Sequence, residues 1–209
     1  IIPSDEKIHA EIMYNKYDIF RNLFMYYFLA GLLFFIFIIL NIFSENKSIH
    51  NFMKYIFIIF RSSIVLLFIA HTLGLIARWY ISGHAPWGDA YESMIYVAWA
   101  TMGIGLLFIK KSDLTLASTS FVTSMILMIA HWNWMDPSIA NLVPVLNSYW
   151  LMIHVSVIVG SYGPFALSMI LGFVSLLLIV FITRTNKEKI KNQLSELTMI
   201  NELSVTVGL

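Results

Sequence analysis

Phe24–Phe43, FMYYFLAGLLFFIFIILNIF, is a run of twenty residues without a single charge. A helix rises about 1.5 Å per residue and bilayer hydrocarbon is about 30 Å thick, so this run has the length and polarity of one membrane crossing. Four more stretches read the same way, and the expected spans are 23–43, 55–81, 90–109, 114–130 and 149–182. Lys110, Lys111 and Asp113 separate the third and fourth and mark a tight hairpin. Arg61 and Arg78 bracket the core of the second, where snorkelling lets the span reach across. Composition agrees: 59% of residues are hydrophobic, 12% are charged and the mean hydropathy is +0.78. The expected fold is all-α, a polytopic integral membrane helical bundle of about five transmembrane helices plus the start of a sixth.

The same composition narrows function. A net charge of +1, with thirteen basic residues scattered between apolar runs, gives no nucleic-acid surface. Zero Cys removes disulfides, thiolate metal sites and thiol nucleophiles. Basic residues near span ends collect on the cytoplasmic side. Lys47 and Lys54, Lys110 and Lys111, and Arg184 to Lys191 fall on one face if there are five crossings, which puts the N-terminus and the loops 82–89 and 131–148 outside. Residues 1–22 then form a polar outer lead-in, 183–198 a basic cytoplasmic segment and 199–209 the start of a further span. The chain opens at Ile1 without Met and stops at Leu209 inside an apolar run, which leads us to expect a piece of a longer protein.

Six histidines are the metal-ligand types worth weighing. His154 stands out within Asp136–Gly163, DPSIANLVPVLNSYWLMIHVSVIVGSYG, two turns into an apolar helix behind an aromatic, proline-containing loop. From His154 to Arg184 is thirty residues, roughly 45 Å of helix against about 30 Å of hydrocarbon, so His154 is expected at the outer water boundary. Asn147 or Ser148 is the expected cap, and Pro164 the expected kink. Trp150 and Ile158 share the His154 face, a fair wall for a flat porphyrin whose iron takes an axial His. The ordinary alternative is an interfacial His bonded to a loop carbonyl.

His71 lies in mid-span, where ionisable groups are functional hypotheses by default. Its structural alternative is a hydrogen bond to Thr72, Ser118 or Ser124. His84, in SGHAPWGDAYES, is a second candidate ligand or an orienting group for an anion, while Asp89 and Glu92 favour the start of the next helix. Arg78 either snorkels or faces a propionate or another acid. His131, beside Trp132 and Trp134, reads as an aromatic belt, and His9 and His50 as solvated. Gly103 and Gly105 read as close helix packing. A transporter or permease with His71 and Arg78 lining a path is the main rival; a purely structural membrane subunit is the third reading.

RWYISGHAPWGDAYESMIYVAWATM, followed by WMDPSIANLVPVLNSYWLMIHVSVIVGSYGPFALS, resembles the integral-membrane cytochrome c synthesis proteins CcsA (ResC) and the fused CcsBA of the haem-handling superfamily. The opening IPSDEKIHAEIMYNKYDIFRNLF is similar to the lead-in of fused forms, so the likeness covers nearly all of the chain. It implies a multi-pass protein of the bacterial inner membrane whose site faces the periplasm. It also implies delivery of haem b (iron protoporphyrin IX), as bound substrate, to the CxxCH of an apocytochrome c, with a CcsB/ResB-type partner or fused domain. Two external histidines flanking a WGxxWxWD segment are the family's axial ligands, and His154 in SYWLMIHV matches the first. No WGxxWxWD occurs in these 209 residues. The resemblance therefore implies one axial ligand here and carries over no ligand role to His71 or His84; His71, His84, Trp150 and Arg78 stay secondary candidates by their positions alone. The full-length protein is expected to act as a haem-attachment synthase, and these residues alone to be inactive.

Overall fold

The computed structural model describes residues 5–43, 47–132, 137–139, 149–182 and 186–209, and these form seven helices. They are α1 (Asp5–Tyr17), α2 (Ile19–Phe43), α3 (Lys47–Ser82), α4 (Ala90–Leu107), α5 (Asp113–His131), α6 (Tyr149–Val180) and α7 (Lys187–Gly208). No strand occurs among the described residues. Four segments are long and apolar enough to cross a membrane: Asp5–Ile42, Asn51–Ser82, Asp113–His131 and Ile153–Val180. The chain is a multi-pass membrane protein with an all-α bundle. The expected third span is helical, but α4 has 18 residues, includes Glu92 and is not among those four.

α5 sits at the centre, between α2, α4 and α6. Twelve of its nineteen residues are buried, and six of those carry hydroxyls. Each hydroxyl needs a partner where water is excluded. Thr119 donates to the Thr115 carbonyl at 2.7 Å, Ser120 to the Tyr27 carbonyl of α2 at 3.0 Å, and Thr123 lies 3.8 Å from Met102 Sδ of α4. Small residues bring the backbones together. A Cβ on Gly31 would meet the Phe121 nitrogen at 2.8 Å, and one on Gly163 the Thr101 nitrogen at 2.8 Å. Gly105 packs against Thr119, as expected, whereas Gly103 faces only the Phe68 ring, at 3.5 Å.

The ends differ from the sequence reading. The polar lead-in is itself helical, and Asp18, at φ 39°, separates α1 from α2. α3 begins eight residues before the expected span. α6 runs through Pro164 as one helix. α7 folds back along α6, burying a stripe of Ile190, Leu197, Ile200 and Ser204, and Ser168 Oγ donates to Asn201 Oδ1 at 2.5 Å. The expected cap at Asn147 or Ser148, Trp134 and Arg184 lie outside the described residues, as does the His50 side chain.

Candidate functional site

Arg78 lies one turn before the end of α3 and Glu92 in the first turn of α4, fourteen residues apart and joined by the turn 83–89. Both side chains are excluded from solvent, at 0% and 1% exposure. A buried charge persists only when paired and hydrogen-bonded. Arg78 Nε donates to Glu92 Oε1 at 2.9 Å, and its two terminal nitrogens donate to the Pro137 and Ser138 carbonyls at 3.0 and 3.2 Å. The guanidinium lies 5.0 Å over the Tyr91 ring. Glu92 Oε2 accepts from the Gly88 N–H at 2.8 Å, and Asp89 caps α4 by accepting from the Glu92 N–H at 2.7 Å. This network ties together α3, α4, the 83–89 turn and the segment after α5. Of the two sequence readings, Arg78 faces an acid. Asp89 acts at the helix start as read, and Glu92 is in addition the partner of Arg78.

His84 hangs from the same network. Its Nδ1–H donates to the Ala85 carbonyl at 3.1 Å and lies 3.9 Å from Glu92 Oε2, which leaves the Nε2 lone pair for another partner. A histidine held this way at one nitrogen is oriented to ligate through the other.

His71 is fully buried on α3. Its Nε2–H donates to the Ile95 carbonyl at 3.1 Å, and its ring packs edge-on to Phe20 at 5.5 Å. None of the expected hydroxyls is its partner. Thr72 donates to the Phe68 carbonyl and accepts from Trp99, and Ser124 donates to the Phe121 carbonyl. Nδ1 of His71, the Tyr27 hydroxyl and the Ser118 hydroxyl are buried without a hydrogen bond. A cavity of about 290 Å³, lined by Tyr14, Asp18, Phe20, Tyr91, His131 and Pro137, stops at Phe20 and Tyr91 and touches neither His71 nor Arg78. His131 stacks on Phe24 at 6.3 Å.

His154 is exposed on the first half of α6 and makes no hydrogen bond or ring contact with the described residues. Trp150, one turn earlier, is 77% exposed. The structure thus brings Arg78, Glu92 and His84 together, buries His71 below them, and leaves His154 exposed on α6, one turn from Trp150. No group of three or more metal-binding side chains occurs among the described residues. A porphyrin iron takes only axial ligands from protein, so His154, with Trp150 beside it, fits that chemistry. A ladder of rings, Trp79, Trp87, Tyr96, Trp99 and Phe68, runs along α3 and α4 with centroid steps of 6.2, 5.2, 5.8 and 5.7 Å. Sequence reasoning did not find the ladder, which depends on α3 meeting α4.

Residues 87–208 match the family described as cytochrome C assembly protein. Over 210 residues the chain is 39% identical to protein NrfI of Wolinella succinogenes, covering 100% of this chain and 23% of that protein. It is 31% identical over 156 residues to the cytochrome c biogenesis protein CcsA of Prochlorococcus marinus strain MIT 9515, covering 68% of this chain and 46% of that protein. With CcsA of Guizotia abyssinica it shares 39% identity over 117 residues, 51% of this chain and 34% of that protein. The chain thus spans less than half the length of each of these relatives.

Proposed function

Because the chain belongs to the cytochrome c assembly protein family, we propose that it is the part of a system II cytochrome c maturation protein that receives haem at the outer membrane surface. The complete protein delivers haem b across the bacterial inner membrane and positions it for attachment to the CxxCH of an apocytochrome c. The observation that carries this reading is the state of His154. It is an imidazole on an open face of an apolar helix, with no competing partner among the described residues.

In this reading His154 binds the iron of the haem substrate through one ring nitrogen, and Trp150 packs against the porphyrin face. The thiols that form the thioethers belong to the cytochrome, which agrees with a chain of zero Cys. One imidazole grips iron loosely, which suits delivery, and attachment follows from holding two reactants in proximity. The second axial ligand, the remaining wall of the site and a CcsB/ResB-type domain come from outside these residues.

The test is co-expression of the full-length protein with a reporter apocytochrome carrying one CxxCH, read as covalent haem on the reporter after denaturing electrophoresis. His154→Ala is expected to abolish covalent haem while membrane levels of the protein stay normal. Wild-type attachment in that variant rules out His154 as the receiving ligand.

A further inference from the structure

We propose that the cleft between α2, α5 and α6 holds an acyl chain of an anionic phospholipid, whose headgroup is bound by lysines at the end of the bundle where α2 and α6 finish. The cleft has a volume of about 160 Å³ and is walled by Leu32 and Phe35 of α2, Ala117 and Phe121 of α5, and Ile170 and Val174 of α6. Ser118 is the only lining residue with a polar side chain. All three helices lie in segments long and apolar enough to cross a membrane. Gly31 closes the α2 side, where its lack of a side chain lets α2 approach the Phe121 nitrogen.

Depth and charge identify the occupant. The lining residues Ser118, Leu177 and Phe35 lie five, three and eight residues from the helix ends at Asp113, Val180 and Phe43, or about 7, 5 and 12 Å along the axes. The cleft therefore starts just inside one membrane face. At that face Lys110 and Lys111 precede α5, and Lys187, Lys189 and Lys191 open α7, all with exposed side chains. Lys189 Nζ donates to the Ile42 carbonyl at 3.3 Å, which fixes that ammonium at the end of α2. The nearby Asp113 carboxylate is engaged by Arg61 through two hydrogen bonds of 2.6 and 2.8 Å, leaving Glu188 and the half-exposed Glu196 as the other described acids there. The balance favours an anion. A free phosphate does not fill an apolar cleft. A helix, at about 10 Å across, is too broad for a cleft of this volume, whereas a hydrocarbon chain fits.

The experiment uses full-length protein purified in detergent, stripped of lipid and equilibrated with mixed micelles of phosphatidylglycerol or phosphatidylcholine of equal chain length. Bound lipid per protein is read by native mass spectrometry. The expected result is one retained phosphatidylglycerol, roughly tenfold preferred over phosphatidylcholine; tenfold is about 1.4 kcal/mol, the contribution of between one and two lysines near an anionic surface. Ile170→Trp, which fills the cleft, is expected to remove retention of both lipids. Lys110→Gln with Lys111→Gln is expected to lower the preference while leaving chain binding. Leu33→Trp, on the exposed face of α2 outside the cleft, serves as the control and is expected to match wild type. Equal retention of both lipids, retention unaffected by Ile170→Trp, or no retained lipid because another segment of the longer protein covers the cleft would each overturn the proposal.

Discussion

Glu92→Gln tests the buried ion pair, because it preserves shape, removes the charge opposite Arg78 and leaves one acceptor oxygen for the two donors, Arg78 Nε and the Gly88 N–H. The guanidinium would keep the Pro137 and Ser138 carbonyls at 3.0 and 3.2 Å and gain nothing closer than Asp89, at 3.8 Å and one-third exposed. Removing one partner of a fully buried pair costs about 3–5 kcal/mol, since a desolvated charge is left uncompensated. Asp89 offsets part of this, so a loss of about 3 kcal/mol is expected. At about 2–4 °C per kcal/mol for a chain of this size, the midpoint of thermal unfolding should fall by roughly 6–12 °C. Replacing both partners by apolar residues, Arg78→Met with Glu92→Met, removes both desolvation penalties and should recover most of the loss. The assay is thermal unfolding of the detergent-purified protein followed by tryptophan fluorescence, for wild type, Glu92→Gln, the single variants Arg78→Met and Glu92→Met, and their double. A single variant indistinguishable from wild type, or a double variant less stable than either single, would refute the reasoning.

Gly163→Leu forces a side chain against the Thr101 nitrogen, which a Cβ alone would approach to 2.8 Å. Overpacking of this kind typically costs about 1–3 kcal/mol, and because the neighbour is backbone, a loss at the upper end and visibly lower membrane yield are expected. Arg61→Gln leaves Asp113 without its 2.6 and 2.8 Å bonds, but Arg61 is 38% exposed. The loss should therefore be about 1 kcal/mol, and adding salt should narrow the gap to wild type in an unfolding series. Burial, and then the nearby Asp113 carboxylate, hold Glu196 above its ordinary value of 4.5. The folded chain then binds the proton more tightly than the unfolded one. Its stabilising contribution is complete below pH 4.5 and is lost as pH rises through the raised value. Glu196→Gln should flatten that part of the pH–stability curve, and an unchanged slope would contradict the assignment.

The long apolar helices were legible because each rests on a long local run, and Phe24–Phe43 needs no neighbour to be read as one; α4, the expected third crossing, is helical but is not among the four segments long and apolar enough to cross. Features that depend on how helices meet were not. A charged Arg78 in an apolar stretch left snorkelling and a nearby acid both open, and choosing Glu92 required the turn that places residues fourteen apart side by side. For His71 the structural alternative to a functional role was a hydroxyl partner, and the ring instead bonds to the Ile95 carbonyl, because α4 presents its backbone there while the nearby Thr72 and Ser124 hydroxyls donate within their own helices. The start of α3 was placed late because its first turn is polar, and α7 was divided because its acidic and basic residues hide a stripe that packs on α6. The sequence placed His154 near the start of an apolar helix, and the structure finds it exposed on the first half of α6; its role as a ligand is what we propose.

The measurement that bears most directly on the central claim is the haem absorbance of the detergent-purified full-length protein, comparing wild type with His154→Ala, His84→Ala and His71→Ala at matched protein levels. The account predicts that the haem band is lost or shifted in His154→Ala and retained in His71→Ala, whose ring is already bonded and sealed inside the bundle. A normal haem spectrum in His154→Ala would contradict it.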